Sequence, residues 1–127
     1  MNMIKGILID VENEKVECIE VEDTLYEYYR ILNCDTIDII SRKIGNKDFY
    51  IVCDDEGLLK GNPKISAINN LGQPMLVGNL FIVSALACEG NLTGLTESDA
   101  KYVMKRIQKM YTKHYKNGYP MLTQCEY

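Results

Sequence analysis

Two runs of residues that favour β-strands flank the dipeptide Gly45-Asn46, and this pattern constrains the fold more than any other in the sequence. Residues 36–44 are rich in β-branched side chains, and residues 48–53 form the second run. Gly and Asn readily adopt the left-handed backbone angles that a tight turn between antiparallel strands needs. The pattern therefore predicts a β-hairpin, and with it a sheet.

Other segments add strands to this sheet. Residues 3–11 form a dense apolar stretch, and residues 15–21 alternate apolar with charged side chains. These two segments predict a second pair of strands. Residues 75–86 are the most apolar part of the chain. They predict one central strand, with a bulge at Gly78-Asn79.

Two helices are expected. Asp23 or Thr24 can cap a short helix that continues to Leu32, with apolar residues at helical spacing. Thr96 begins a second helix, because Asp99 three residues later completes a pattern that resembles a capping box. Apolar positions then recur with a helical period as far as residue 116, so the second helix is expected to be long.

Together these elements predict an α+β fold, with a mostly antiparallel sheet of about five strands, one short helix and one long C-terminal helix. The 127 residues are expected to form a single ligand-binding domain, because a chain of this length can bury one core. Residues 117–127 form a tail that could be flexible.

The sequence predicts a cytoplasmic protein. No apolar run reaches the roughly 18 residues that a membrane-spanning helix needs, and the N-terminal residues resemble neither a signal peptide nor a transit peptide. The five cysteines are widely spread and contain no C-x-x-C pair. Neither a disulfide framework nor a zinc site is therefore expected.

Charge is divided unevenly along the chain. Residues 1–100 hold 8 Lys and Arg against 17 Asp and Glu, and residues 101–127 hold 6 against 1, so the formal charges of −9 and +5 sum to the −4 of the whole chain. A lysine recurs every four residues from Lys101 to Lys113. A solvated helix face explains this repeat, and so does a site for an anionic ligand, since like charges at this spacing repel mildly.

The sequence does not favour an enzyme. Its single histidine, His114, is expected on the packed side of the long helix. Asp54-Asp55-Glu56 precede a glycine, and such a run more often forms a turn than a metal site. The sequence contains no phosphate-binding loop, nucleophile elbow or metal-ligand motif. We therefore expect neither catalysis nor a cofactor.

Four segments carry a resemblance to known proteins: I-K-G-I-L-I-D-V, V-C-D-D-E-G-L-L-K, P-M-L-V-G-N-L-F-I-V and N-L-T-G-L-T-E-S-D, in this order. From residue 3 to residue 115 the chain resembles a family of small phage and mobile-element proteins of Firmicutes, many of them described only as a domain of unknown function. The chain also looks like the first Thoeris anti-defence family. Members of that family sequester cyclic ADP-ribose isomers made by the bacterial Thoeris system.

The second resemblance implies a phage anti-defence sponge, which binds cyclic ADP-ribose isomers without cleaving them and so blocks Thoeris-type immune signalling. It also implies a homo-oligomer, a hexamer in known members, with the ligand between protomers. The ligand class could extend to cyclic oligonucleotides. In that family an aromatic residue, an asparagine and basic residues contact the ligand. The matching positions here are Phe81, Asn91, Arg106, Lys109 and Lys113.

Two other functions are compatible with the sequence. One is a protein-binding module of a phage or mobile element that docks a host protein through the basic C-terminal helix. The other is a small regulator that binds nucleic acid through the same helix. The acidic remainder of the chain disfavours the regulator, because it would repel the phosphate backbone of a nucleic-acid polymer.

Overall fold

A computed structural model describes residues 3–56, 64–88, 91–110 and 119–127. Within these ranges the chain forms eleven strands and two helices. In chain order the elements are β1 Met3–Asp10, β2 Lys15–Glu22, α1 Leu25–Leu32, β3 Ile37–Ile44, β4 Lys47–Asp54, β5 Ile65–Ile68, β6 Pro74–Val77, β7 Leu80–Cys88, β8 Asn91–Thr93, α2 Glu97–Met104, β9 Ile107–Met110, β10 Tyr119–Leu122 and β11 Cys125–Glu126. Neither helix of this described part has the length and apolar character that crossing a membrane demands.

The described strands form two sheets. The large sheet has the order β11-β3-β4-β7-β1-β2, and β8 pairs with the C-terminal half of β7. The small sheet has the order β6-β5-β10-β9. Neighbouring strands are antiparallel, apart from the parallel pair of β5 and β10.

Strand β7 contributes to both hydrophobic cores. Leu80, Phe81, Ile82 and Val83 are each 0% exposed. Successive side chains of a strand point to opposite faces of its sheet. Leu80 and Ile82 accordingly pack into the core beside α2 and the small sheet, whereas Phe81 and Val83 pack into a second core beneath α1. The large sheet is therefore covered on both faces.

The two hairpins expected from the sequence are confirmed. Strands β1 and β2 pair along all eight residues of each. Strands β3 and β4 also pair along their full length, across Gly45 and Asn46. Gly45 has a φ of +64°, which is the left-handed conformation that such a turn uses.

The short first helix is confirmed as well. The Thr24 hydroxyl accepts a hydrogen bond from the Glu27 backbone N–H at 3.3 Å. The helix ends at Asn33, whose φ of 53° and ψ of 55° are left-handed. Its Tyr28, Ile31 and Leu32 side chains are buried against the large sheet.

The predicted fold class is wrong in two respects. The described chain is mostly β, with eleven strands in two sheets rather than about five in one. It has two short helices, and the long C-terminal helix is absent from the described residues because α2 ends at Met104. Residues 111–118, where the predicted helix would have continued, lie outside the described residues.

Helix α2 begins as predicted, with the Thr96 hydroxyl accepting from the Asp99 backbone N–H at 3.1 Å. It stops early because Arg106 satisfies two of its last carbonyls. The Arg106 backbone N–H donates to the Val103 carbonyl at 2.9 Å, and its side-chain Nη1 donates to the Tyr102 carbonyl, also at 2.9 Å. Strand β9 then pairs with β10. This long-range pairing outweighs the local helical spacing of the lysines.

The single central strand predicted over residues 75–86 is also wrong. The segment forms β6 and β7, which belong to different sheets. Gly78, with a φ of +78°, lies between them, and its N–H donates to the Lys64 carbonyl at 2.8 Å. The Asn79 side-chain oxygen accepts from the buried Val11 N–H at 3.0 Å. Gly78 and Asn79 thus carry the chain from one sheet to the other.

Replacing Gly45 with Ala should destabilise the protein more than replacing Gly72 does. The two glycines have φ values of +64° and +79°, so both substitutions strain the backbone by about 1–2 kcal/mol. A Cβ at Gly45 would additionally press on the Tyr102 hydroxyl and lie 2.6 Å from Arg106 Nε, whereas nothing lies within 4 Å at Gly72. Urea unfolding should show an extra loss of about 1–3 kcal/mol for Gly45→Ala. Equal losses would contradict the packing of this turn against α2.

Alkaline pH should destabilise the fold through two buried thiols. Burial raises the pKa of Cys53 and of Cys125 from 9.0 to about 11. The unfolded thiols ionise first, so stability present below pH 9 is lost as the pH rises towards 11. Each thiol contributes up to roughly 2 kcal/mol to this loss. In unfolding titrations over this range, Cys53→Ala should show a shallower decline than the wild type, and Cys18→Ala, at an exposed thiol, should show the wild-type decline.

Candidate functional site

One pocket lies between the β1–β2 turn and the hairpin of β9 and β10. Its volume is about 400 Å³. We call it the hairpin pocket. Its lining residues are Glu14, Lys15, Val16, Met104, Ile107, Lys109 and Pro120.

The floor of the hairpin pocket is apolar. Val16 and Ile107 are half-buried and pack against the core between the two sheets. Pro120 is buried, and Met104 is 43% exposed. Because α2 ends at Met104, the chain turns there, and Ile107 lines the same pocket from β9. A floor of this kind can receive a flat apolar group such as a nucleobase.

Three charged side chains complete the lining. Glu14 sits in the β1–β2 turn with a φ of 57°. Lys15 is partly compensated, because its Nζ lies 3.4 Å from an oxygen of Glu17. Lys109 is exposed and has no ion-pair partner among the described residues. An anion entering the pocket therefore meets at least one lysine whose charge is not neutralised by any of the described residues.

Arg106, predicted as a ligand contact, is engaged within the fold. Its guanidinium carbon lies 3.6 Å from the centroid of the Tyr102 ring, and its Nε donates to the Gln124 side chain at 3.2 Å. The same Tyr102 ring stacks on Phe49 at a centroid distance of 6.2 Å. Its hydroxyl accepts from the Asn46 N–H at 2.8 Å. These contacts tie α2 to the β3–β4 turn and to the C-terminal segment.

Phe81, the predicted aromatic contact, is completely buried beneath α1. Its ring centroid lies 6.1 Å from that of Tyr28, whose hydroxyl donates to Asp23 at 2.5 Å. Burial, followed by this hydrogen bond, raises the pKa of the Tyr28 phenol. A Cβ on Gly6 would lie 2.6 Å from the Phe81 ring, so a glycine is needed there. Within one protomer the Phe81 ring offers no surface to a ligand.

Asn91 begins β8, whose backbone lies beside the end of β7. The neighbouring Leu92 N–H donates to Asp23 at 3.3 Å, and the Leu92 side chain packs against the core beneath α1. The backbone at Asn91 is therefore part of the large sheet itself, paired with Cys88 at the end of β7.

The structure brings the predicted ligand contacts together only in part. Phe81 packs on the side of the large sheet that α1 covers, and the backbone of Asn91 lies within that sheet. Arg106 and Lys109 belong to the opposite side, beside the small sheet. Lys113 lies outside the described residues. Among the described lining residues of the hairpin pocket, only Lys109 is a predicted ligand contact.

Most of the pocket lining was missed from sequence because it comes from distant segments. Glu14 to Val16 belong to the first hairpin, and Pro120 lies more than a hundred positions later in β10. The hairpin signals place each segment on a turn or strand. No local pattern shows that these turns meet, since their approach depends on how the two sheets pack.

A second pocket, of about 380 Å³, lies between α1 and β2. Its lining includes the acids Asp10, Glu17 and Glu20 and the bases Lys15 and Arg30. The Arg30 guanidinium donates hydrogen bonds to both carboxylate oxygens of Glu27 on the same helix, each at 2.9 Å. With more acid than base and with this cation already paired, the second pocket does not favour an anionic ligand.

The described residues contain no group of three or more His, Cys, Asp or Glu side chains placed to hold a metal ion. Asp54 and Glu56 belong to the acidic run considered above. The Glu56 N–H donates to the Asp54 carboxylate at 2.9 Å. This is a local turn contact, as the sequence predicted.

Replacing Arg106 with Ala should lower the free energy of unfolding by about 1–3 kcal/mol, because a stacked cation and hydrogen bonds to Tyr102 and Gln124 are lost. Lys109→Ala, at an exposed position, should change it by about 0.5 kcal/mol or less. Arg106→Lys keeps the charge without the planar guanidinium and should recover little. Urea unfolding of the three variants measures this. Similar stabilities for Arg106→Ala and Lys109→Ala would show that the contacts of Arg106 do not stabilise the fold.

Comparison with known proteins gives one match. The model of a protein family described as a domain of unknown function, DUF3846, matches residues 4–112. No curated protein and no solved structure matches the chain. The matched segment runs from β1 past the end of β9, so it contains both helices and every described residue of the hairpin pocket except Pro120.

Proposed function

The chain belongs to the DUF3846 family, a domain of unknown function, and we propose that it is a binding protein that sequesters cyclic ADP-ribose isomers or related cyclic nucleotides without cleaving them. In this proposal it is a phage-encoded sponge. It acts in the cytoplasm of the host bacterium and removes the signal on which Thoeris-type immunity depends.

The hairpin pocket is the observation that carries the proposal. A cyclic ADP-ribose isomer combines an adenine ring with a pyrophosphate, so its binding site needs an apolar surface beside a cation. Val16, Ile107 and Pro120 supply an apolar floor, and Lys109 supplies a cation without an ion-pair partner in the described chain. Lys109 is also one of the positions that match the anti-defence family. Two independent arguments therefore meet at this residue.

The chemistry of the lining supports binding rather than catalysis. The described lining contains no imidazole, thiol or hydroxyl. Glu14 and the two lysines are its only ionisable side chains. Cleavage of a glycosidic or pyrophosphate bond by general acid–base chemistry needs a positioned proton donor and acceptor. A flexible, exposed lysine beside an exposed turn is a poor substitute for such a pair.

The proposed sponge is a homo-oligomer with the ligand between protomers, as the resemblance to the anti-defence family implies. Phe81 is completely buried beneath α1 and cannot contact such a ligand. The hairpin pocket, which carries Lys109, is therefore the part of the proposed site that one protomer supplies.

The alternative function, docking of a host protein, would use a different surface from the one expected from the sequence. It depended on one long basic helix, but Lys101 lies on α2, Lys105 follows its end, and Lys109 lies on β9. All three side chains are exposed. This function is favoured if the protein binds no cyclic nucleotide and instead captures a host protein through these lysines.

Lys109→Ala should weaken the binding of a cyclic ADP-ribose isomer roughly ten- to hundredfold, the loss expected when a charge-assisted hydrogen bond is removed. Lys101→Ala is the matched control, because Lys101 is an exposed lysine outside the pocket lining. Calorimetry measures both affinities. The ligand released by heating should have its original mass.

Two outcomes would count against the proposal. Equal affinities for the two lysine variants and the wild type would remove the hairpin pocket as the site. A linear product in the released material would show that the protein cleaves the ligand, which contradicts a sponge.

A further inference from the structure

Two strand edges with opposite charge lie beside the hairpin pocket. Strand β2 is the last strand of the large sheet and β9 is the last strand of the small sheet, so in the described chain each has one side without a partner strand. Val16 of β2 and Ile107 of β9 line the same pocket. The two open edges therefore lie close to each other on the molecule.

The β2 edge is acidic on balance, with three glutamates against one lysine, Lys15, whose Nζ lies 3.4 Å from Glu17. Glu17 and Glu20 are exposed, and Glu22 is half-buried at the end of the strand. The strand pairs with β1 along all of its eight residues, so it is a regular template for another strand on its outer side. A second β2 strand placed there would bring like charges together, which disfavours pairing between two β2 edges.

The β9 edge is basic. Lys109 lies on the strand, and Lys105 precedes it by two positions. Both side chains are exposed, and neither has an ion-pair partner among the described residues. Residues 101–110 contain no acid. Met104, 43% exposed, adds an apolar side chain beside these cations, and exposed apolar surface rimmed by charge is typical of interaction sites.

We propose that β9 of one copy of this chain pairs with β2 of a second copy. The pairing joins the small sheet of one protomer to the large sheet of the next, places lysines against glutamates and covers Met104. Repulsion between two β2 edges, and between two β9 edges, selects this combination over the others. The inference rests on the proposed homo-oligomer and names its interface. A closed dimer results if both pairs form between the same two copies, and a ring results otherwise.

Charge reversal tests the pairing in the full chain without ligand. One variant carries Glu17→Lys and Glu20→Lys, and a second carries Lys105→Glu and Lys109→Glu. Sedimentation velocity should show an assembled wild type, with each variant dissociating at least about tenfold more readily. An equimolar mixture of the two variants should reassemble, because the basic edge of the first then meets the acidic edge of the second. A single chain with all four changes should also assemble.

Asp55→Lys with Glu56→Lys is the control for the variant with Glu17→Lys and Glu20→Lys. It makes the same change of charge at two exposed acids that follow β4 and lie on neither edge. It should assemble like the wild type. Circular dichroism checks that every variant is folded. A monomeric wild type, assembly of both reversed variants, or failure of their mixture to reassemble would each overturn the pairing. None of these outcomes depends on ligand binding. The sponge proposal is tested separately by calorimetry, so a failure of one proposal can be told apart from a failure of the other.

Discussion

The burial of β7 on both faces, complete from Leu80 to Val83, is the constraint on which the rest of the structure depends. The four side chains from Leu80 to Val83 alternate between two cores, and each is 0% exposed. A sheet with such a central strand needs a cover on each face. Helix α1 has only eight residues and would not be stable alone in water. It is held in place because Tyr28, Ile31 and Leu32 fill the core above Phe81 and Val83.

Local chemistry in the sequence predicted the local elements well. The turn at Gly45-Asn46 and the caps at Thr24 and Thr96 depend on a few adjacent residues, and each forms as expected. The failures are non-local. Gly78 was interpreted as a bulge in one strand because sequence periodicity does not show that the flanking strands pair in different sheets. The helical lysine spacing beyond Met104 gave way to the pairing of β9 with β10.

Only a charged part of the candidate site could be predicted from the sequence, because Phe81 and Arg106, two of the other predicted residues, make their contacts within the fold. Lys109 belongs to the lysine repeat and is also a position that the resemblance implies, and it lines the hairpin pocket. Phe81 was selected through a resemblance, but it is completely buried. Arg106 was selected through the same resemblance, and its contacts instead end helix α2. Burial and hydrogen bonding of this kind depend on how the two sheets pack, and local sequence patterns do not predict that packing.

The division of roles between arginine and lysine limits how this chain can bind an anion. The sequence has three arginines, and each contacts another side chain of the same protein. Arg30 pairs with Glu27, Arg42 lies 4.7 Å from the Tyr127 ring centroid, and Arg106 stacks on a ring of α2.

The planar guanidinium group suits such fixed contacts, whereas lysine is a compact charge on a flexible stem. The cations left at the surface of α2 and β9 are lysines, so they attract phosphate without fixing its orientation. In this arrangement discrimination between cyclic nucleotides must come from the apolar floor of Val16, Ile107 and Pro120. The charges contribute attraction that salt can screen.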